Sequence, residues 1–255
     1  MKHKEYPLLE YDASVPAVIE PSRVVDDIGA PEHCVLCFFG EVIQDLKQKE
    51  KLRKIAHQKW EDADRPVYDM DFNGYPLVVF QSPVGASIAA AMLEELIAQG
   101  CRKFMACGSA GVLDQNIVVG RIIIPSIAVR DEGTSYHYMP PGREIAMESK
   151  VVGMIEEVLN ELGVDYLKGK TWTTDAPYRE TREKIDLRRA EGCLTVEMET
   201  AAFLSVAKFR GIEFGQLLYA GDDISGCVWD AREWHSKKSV RSRLFELAAE
   251  ICLRL

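Results

Sequence analysis

Four short stretches hold side chains whose types and spacing could do chemistry. Cys107-Gly108-Ser109-Ala110-Gly111 follows an apolar run that ends near Ala106. Glycines around a serine let backbone N–H groups approach an anion or a ribose, and the hydroxyl adds a donor; a tight turn would use the same residues. Arg130 to Tyr138 is too rich in polar and aromatic groups for plain core. It shapes a site or a subunit contact, or is a loop packed by its own side chains. In Thr195 to Ala202, Glu197 and Glu199 flank Met198 at a strand-to-helix passage. Acids there complement a helix dipole, or one of them accepts hydrogen bonds from paired hydroxyls such as those of a ribose. The fourth stretch, Ala220 to Ser225, places Asp222 just after a strand, as a proton donor to a leaving group or as a solvated loop acid.

Alternating elements must position these groups. Short Val/Ile/Leu/Phe-rich runs predict strands over Pro16–Ile19, Val35–Phe39, Pro76–Gln81, Lys103–Ala106, Val118–Ile124, Tyr166–Thr173 and Gln216–Ala220. Between them, amphipathic spacing predicts helices from Ser87 to Gly100, Ser149 to Gly163 and Met198 to Gly211, and one from Val240 to the C-terminus. Such alternation implies an α/β fold with a largely parallel sheet, in which ligands sit beyond the carboxyl ends of the strands. With no repeat or long linker, residues 1–255 read as a single domain.

Composition narrows the function. A hydrophobic share of 47% and a charged share of 28% are those of a soluble globule, and the net charge of −9 argues against nucleic acid and anionic membranes as partners. Seven irregularly spaced cysteines and a polar start without a signal-peptide core predict a reduced, cytoplasmic protein acting on something small. Cys34-Val-Leu-Cys37 lies on a strand, where residues three apart face opposite sides, so packing explains it better than a metal. The five histidines include no i,i+4 pair, and no metal is expected. Lys47 to Lys54 reads as the solvated face of an exposed helix.

Taken in order, the four stretches resemble the nucleoside phosphorylase family, which includes purine nucleoside phosphorylases, uridine phosphorylases and methylthioadenosine nucleosidases. Ser82 to Leu96 is similar to the family's glycine turn and helix, Gly108-Ser-Ala-Gly111 to its Gly-Ser/Thr-x-Gly turn, and Val129 to His137 to a uridine phosphorylase segment. Val196-Glu-Met-Glu199 is the most specific signature. The resemblance implies a three-layer α/β/α sandwich with a central mixed, largely parallel sheet, and cleavage of an N-glycosidic bond with ribose passed to phosphate. It implies that Glu199 grips the ribose hydroxyls over Met198, that Arg23 and Ser109 hold phosphate, and that Ala110, Gly111, Tyr178, Val196 and Glu197 line the base. His3 would reach a neighbouring subunit's ribose, which makes a homo-oligomer, a dimer at least, the expected state. No cofactor is implied beyond phosphate as co-substrate.

The chain also departs from the family's pattern. Where the phosphate loop reads Gly-Asp-Pro-x-Arg, the segment matched here is Ile19-Glu-Pro-Ser-Arg23, which lacks the glycine. Phosphorylases carry an arginine two residues before the Gly-Ser turn; here it is Ala106. A phosphate dianion wants several charge-assisted partners, so hydrolysis by water is the alternative, and a silent nucleoside-binding protein a third reading. Asp222 stands where the purine enzymes keep an aspartate that protonates the base, and the uracil-binding Gln-x-Arg pair is out of register, with Arg179 or Arg182 the nearest substitutes. A purine is therefore favoured over uridine.

Overall fold

A computed structural model describes residues 3–255. Along them run β1 (His33–Cys37), α1 (Gly40–Gln48), β2 (Arg53–Lys59), β3 (Asp64–Phe72), β4 (Tyr75–Gln81), α2 (Ala86–Ala98), β5 (Lys103–Val112), β6 (Ile122–Asp131) and α3 (Ser135–Tyr138). β7 (Glu144–Ala146), α4 (Ser149–Glu161), β8 (Tyr166–Thr174), α5 (Arg182–Ala190), β9 (Cys193–Glu197), α6 (Thr200–Arg210), β10 (Glu213–Asp223) and α7 (Lys238–Cys252) follow.

The strands form one mixed sheet. β4, β1, β5 and β10 run parallel side by side, as do β6, β8 and β9. Antiparallel pairing of β5 with β9 and of β10 with β6 joins the two groups, so β5, β9, β8, β6 and β10 close into a ring. Helices α2, α3 and α6 pack together as one layer and α1, α4 and α7 as another. Strands covered by helices need apolar residues on both faces, and Leu77 to Phe80 of β4 are fully buried. The mixed α/β class expected from the alternation is thus the one observed.

Four local expectations change. Pro16–Ile19 is no strand: it lies in the segment before β1, with Val18 89% exposed. β2 and β3 were hidden by their charges, because an antiparallel hairpin at a sheet edge keeps one face in water. The helix expected over Lys47–Lys54 is α1, which ends at Gln48 before the chain turns into β2. The strand expected at Val118–Ile124 runs from Ile122 to Asp131 and so absorbs Arg130. Arg130 donates through Nε to Ser135 Oγ at 2.9 Å and lies over the Tyr136 ring, so this stretch is packed by its own side chains. No helix among the described residues is long and apolar enough to cross a membrane.

Candidate active site

The ends of β5, β9 and β10 meet at a cavity of about 450 Å³, which Glu199, Ser109 and Asp222 line from separate walls. One wall is the β9–α6 passage. Glu197 accepts from the Glu199 and Thr200 N–H groups through Oε2, both at 2.7 Å, and from Thr173 Oγ1 at 2.7 Å through Oε1. It thereby satisfies the free N–H groups that open α6. The next carboxyl, Glu199, is 5% exposed and accepts from the Gly85 N–H at 2.6 Å. Gly85 has φ +107, a conformation that presents this N–H and that residues with a Cβ avoid. Burial, followed by the charge of Glu197, pushes the Glu199 carboxyl up to about 8.

A bulge builds the second wall. Between the pairs Ala220–Ala110 and Asp223–Val112, β10 carries one residue more than β5. Bulges re-aim side chains, and here Asp222 turns into the cavity. Asp223 instead caps the Ser225 N–H at 2.8 Å and pairs with Arg232. Gly111 makes room for this: a Cβ there would stand 3.1 Å from Val196 Cγ1 and 3.5 Å from Asp222 Oδ1. Trp229 donates through Nε1 to Asp222 Oδ2 at 2.7 Å. Facing Asp222 is Glu180, whose carboxyl burial and the Asp222 charge push up to about 7.

The third wall holds the cation. Ser109 on β5 is the register partner of Tyr219 on β10. The Tyr219 hydroxyl donates to the Trp234 carbonyl at 2.8 Å and accepts from Arg241 Nε at 2.9 Å. Arg241, from α7, is 7% exposed, lies over the rings of Phe39 and Trp234, and is ion-paired through Nη1 with Glu41 of α1.

The cavity brings together Ser109, Ala110, Gly111, Val196, Glu197, Met198, Glu199 and Asp222. Three of the expected site residues need correction, Glu197, Tyr178 and Arg23. Both oxygens of Glu197 are taken by Thr173 and the α6 amides, so it holds Glu199 in place and is not free to read a base. Tyr178 is 98% exposed and points away from the cavity. Arg23 sits on the short turn Pro21–Arg23, is exposed, and donates to the Val18 carbonyl at 3.2 Å; the turn that flanks Ser109 is instead Phe38–Phe39, directly after β1. His3 is exposed and does not line the cavity of its own chain. Nor does Arg179 or Arg182, the latter being held by the Ser225 carbonyl at 2.8 Å. Sequence reasoning missed Arg241, which the core-helix periodicity of α7 disguises, and Glu180, overlooked beside those two arginines. A larger groove of about 750 Å³ runs between the segment before β1 and α2 and α6, and none of the eight residues above lines it.

Comparison with known proteins agrees with this architecture. A guanosine phosphorylase of Halorubrum lacusprofundi is 27% identical over 161 residues, which cover 62% of this chain and 65% of that protein. The crystal structure of a uridine phosphorylase from Vibrio fischeri superposes with a TM-score of 0.71 at 22% identity, over 90% of this chain and 92% of that one. An AMP nucleosidase from Bacteroides thetaiotaomicron does so with 0.71 at 20% identity, over 91% and 93%. A sequence model described as the phosphorylase superfamily matches residues 32–254, starting just before β1 and leaving out His3 and Arg23. With its site-bearing strands all inside that match, this chain belongs to the phosphorylase superfamily.

Proposed function

We propose that this chain cleaves the N-glycosidic bond of a purine nucleoside and passes the ribose to inorganic phosphate. The observation that carries the reading is one cavity with Glu199 on one wall and Asp222 on another. A ribose offers two vicinal hydroxyls, and donors of this kind favour the ionised form of Glu199, with Met198 beneath the sugar. Asp222 takes a proton from solvent and passes it to the departing base, which matters because the transition state separates an oxocarbenium-like sugar from a base gaining negative charge. Phosphate sits at Ser109, with Arg241 as the cation beside it. The guanosine phosphorylase name of the haloarchaeal relative supports both phosphate and purine. We further propose a homo-oligomer, supported by the exposed apolar side chains of Tyr6, Val15, Val18 and Ile19 before β1.

One observation favours water as a second reading. Arg241 already shares its charge with Glu41, which leaves less of that charge for a phosphate dianion. Assaying purine release with and without phosphate separates the two. Phosphorolysis gives ribose 1-phosphate and stops when phosphate is removed; free ribose formed at an undiminished rate would establish hydrolysis.

A further inference from the structure

The groove of about 750 Å³ shares no lining residue with the cavity of Glu199 and Asp222. One of its walls, Pro16 to Pro21, lies before residue 32, where the match to the phosphorylase superfamily begins. Ala91, Glu94 and Glu95 of α2 line it too, at a spacing that puts them on one helix face. Trp60 follows β2, and the rings of Tyr138 and Phe209 meet edge to face at 5.6 Å. The carboxylates here are unequally served. Glu94 accepts from Arg210 through Nε at 2.5 Å and Nη2 at 3.0 Å. Glu20 accepts from Arg210 Nη1 at 3.0 Å and from the Ala17 N–H at 2.6 Å, and Asp12 is held by Ser14. Glu95 is different. It is 5% exposed and accepts from Trp60 Nε1 at 2.9 Å through Oε1, while its Oε2 is buried without a donor among the described residues. Burial pushes this carboxyl above its ordinary range, against the pull of the Trp60 N–H.

A buried carboxylate oxygen without a donor is costly, and a positively charged N–H offsets that cost best. Aromatic faces attract the same charge, and apolar walls suit a hydrocarbon body. We propose that this groove is a second ligand site, separate from the nucleoside cavity, and that it takes a small organic amine in its protonated form, with the ammonium at Glu95 Oε2 and the apolar body along the groove. A quaternary ammonium has no N–H and would leave that oxygen unsatisfied. An anion would meet a lining in which the four carboxylates of Asp12, Glu20, Glu94 and Glu95 outnumber the permanent cations Lys59 and Arg210. Arg210 is already spent on Glu94 and Glu20, and Lys59 is exposed at the rim.

The test is calorimetric binding, which needs no turnover. Phenethylamine, its N-trimethyl derivative and phenylacetate are titrated into the wild-type protein, Glu95→Gln, Ala91→Leu and Glu199→Gln, with thermal melting as the check on folding. Wild type should bind the amine, the trimethyl derivative about tenfold more weakly, and phenylacetate not measurably. Glu95→Gln should weaken the amine about 10- to 100-fold, the loss of one charge-assisted hydrogen bond. Ala91→Leu leaves Glu95 in place but fills the groove from the same helix face, and should weaken both cations together. If one of these two variants fails to fold, the other decides. Glu199→Gln should bind the amine as wild type does, because the nucleoside cavity takes no part. Absence of amine binding to wild type, an unchanged affinity in folded Glu95→Gln or Ala91→Leu, or a trimethyl derivative that binds as tightly overturns the proposal. So does a loss confined to Glu199→Gln, which would put the amine in the nucleoside cavity. Affinity that falls as the subunit concentration rises would mean that a second copy fills the groove, and overturns it as well.

Discussion

The cavity wall that bears Glu199 comes from consecutive residues, whereas the wall that bears Ser109 and Arg241 is assembled from β5 and α7 and is backed by Tyr219 of β10 and Glu41 of α1. At the first, Glu197 fixes the start of α6 and thereby the backbone of Glu199, so one carboxylate is structural and its neighbour is free to act. At the second, the cation depends on a distant chain: Arg241 is held by a tyrosine on a strand, a glutamate on another helix and aromatic rings on two sides. The first wall is thus contiguous in sequence, and the second is assembled from distant residues.

The largest effect should follow from breaking the contiguous wall. Glu199→Gln keeps the shape but removes a carboxylate aimed at two hydroxyls, and should cost roughly 2–4 kcal/mol in kcat/KM while leaving the melting temperature nearly unchanged. Normal turnover by the folded variant would end the ribose assignment. The sign of the proton linkage sharpens the point. With its pKa raised to about 8, Glu199 holds a proton in the free protein at pH 7. Hydroxyl donors lower that value, so nucleoside binding should release a proton near neutrality. Calorimetry in buffers of different ionisation enthalpy would register the release in wild type and its absence in Glu199→Gln.

A smaller effect is expected from the assembled wall. Arg241→Lys keeps the charge but loses the fork that bridges Tyr219 and Glu41. The KM for phosphate should rise about tenfold, the equivalent of one charge-assisted hydrogen bond, with the KM for nucleoside within about twofold. Equal changes in both constants would reduce Arg241 to a support for the cavity's shape.

The same contrast explains what the sequence could disclose. Val196-Glu-Met-Glu199 was legible because its four residues are consecutive and match the family's most specific signature. Gly108 to Gly111 and Asp222 were legible because each sits at the carboxyl end of an apolar run, although the strands β5 and β10 continue through them. Within the signature, though, nothing in the order of residues tells Glu197 from Glu199; only the hydrogen bonds to Thr173 and the α6 amides do. Arg241 could not be found, since its neighbours Val240 and Leu244 mark a core helix and its partner lies 200 residues away. Charge concealed the β2–β3 hairpin in a similar way, because edge strands carry their polarity on the solvent face. The apolar run Pro16–Ile19 misled in the opposite sense, for it has no sheet edge to join.

The smallest effect should be at Arg23, and it bears on which arginine serves phosphate. Arg23 and Arg241 are the two cations that a phosphate at Ser109 could be thought to use, one near the start of the chain and one near its end. Arg23 is exposed, is turned back onto the Val18 carbonyl, and lies outside the lining of the cavity. Arg241 lines it. Exposed side chains without such contacts change stability by about 0.5 kcal/mol or less, so Arg23→Ala should leave the melting temperature, kcat and the KM for phosphate close to wild type. A phosphate KM raised tenfold in Arg23→Ala, with Arg241→Lys silent, would reverse the assignment. Since Arg23 does not reach the cavity of its own chain, that result would also mean that the segment before β1 completes the site of a neighbouring copy. Measuring both variants over a range of subunit concentrations would then expose the exchange directly, because an arginine lent by a neighbouring copy acts only where copies associate.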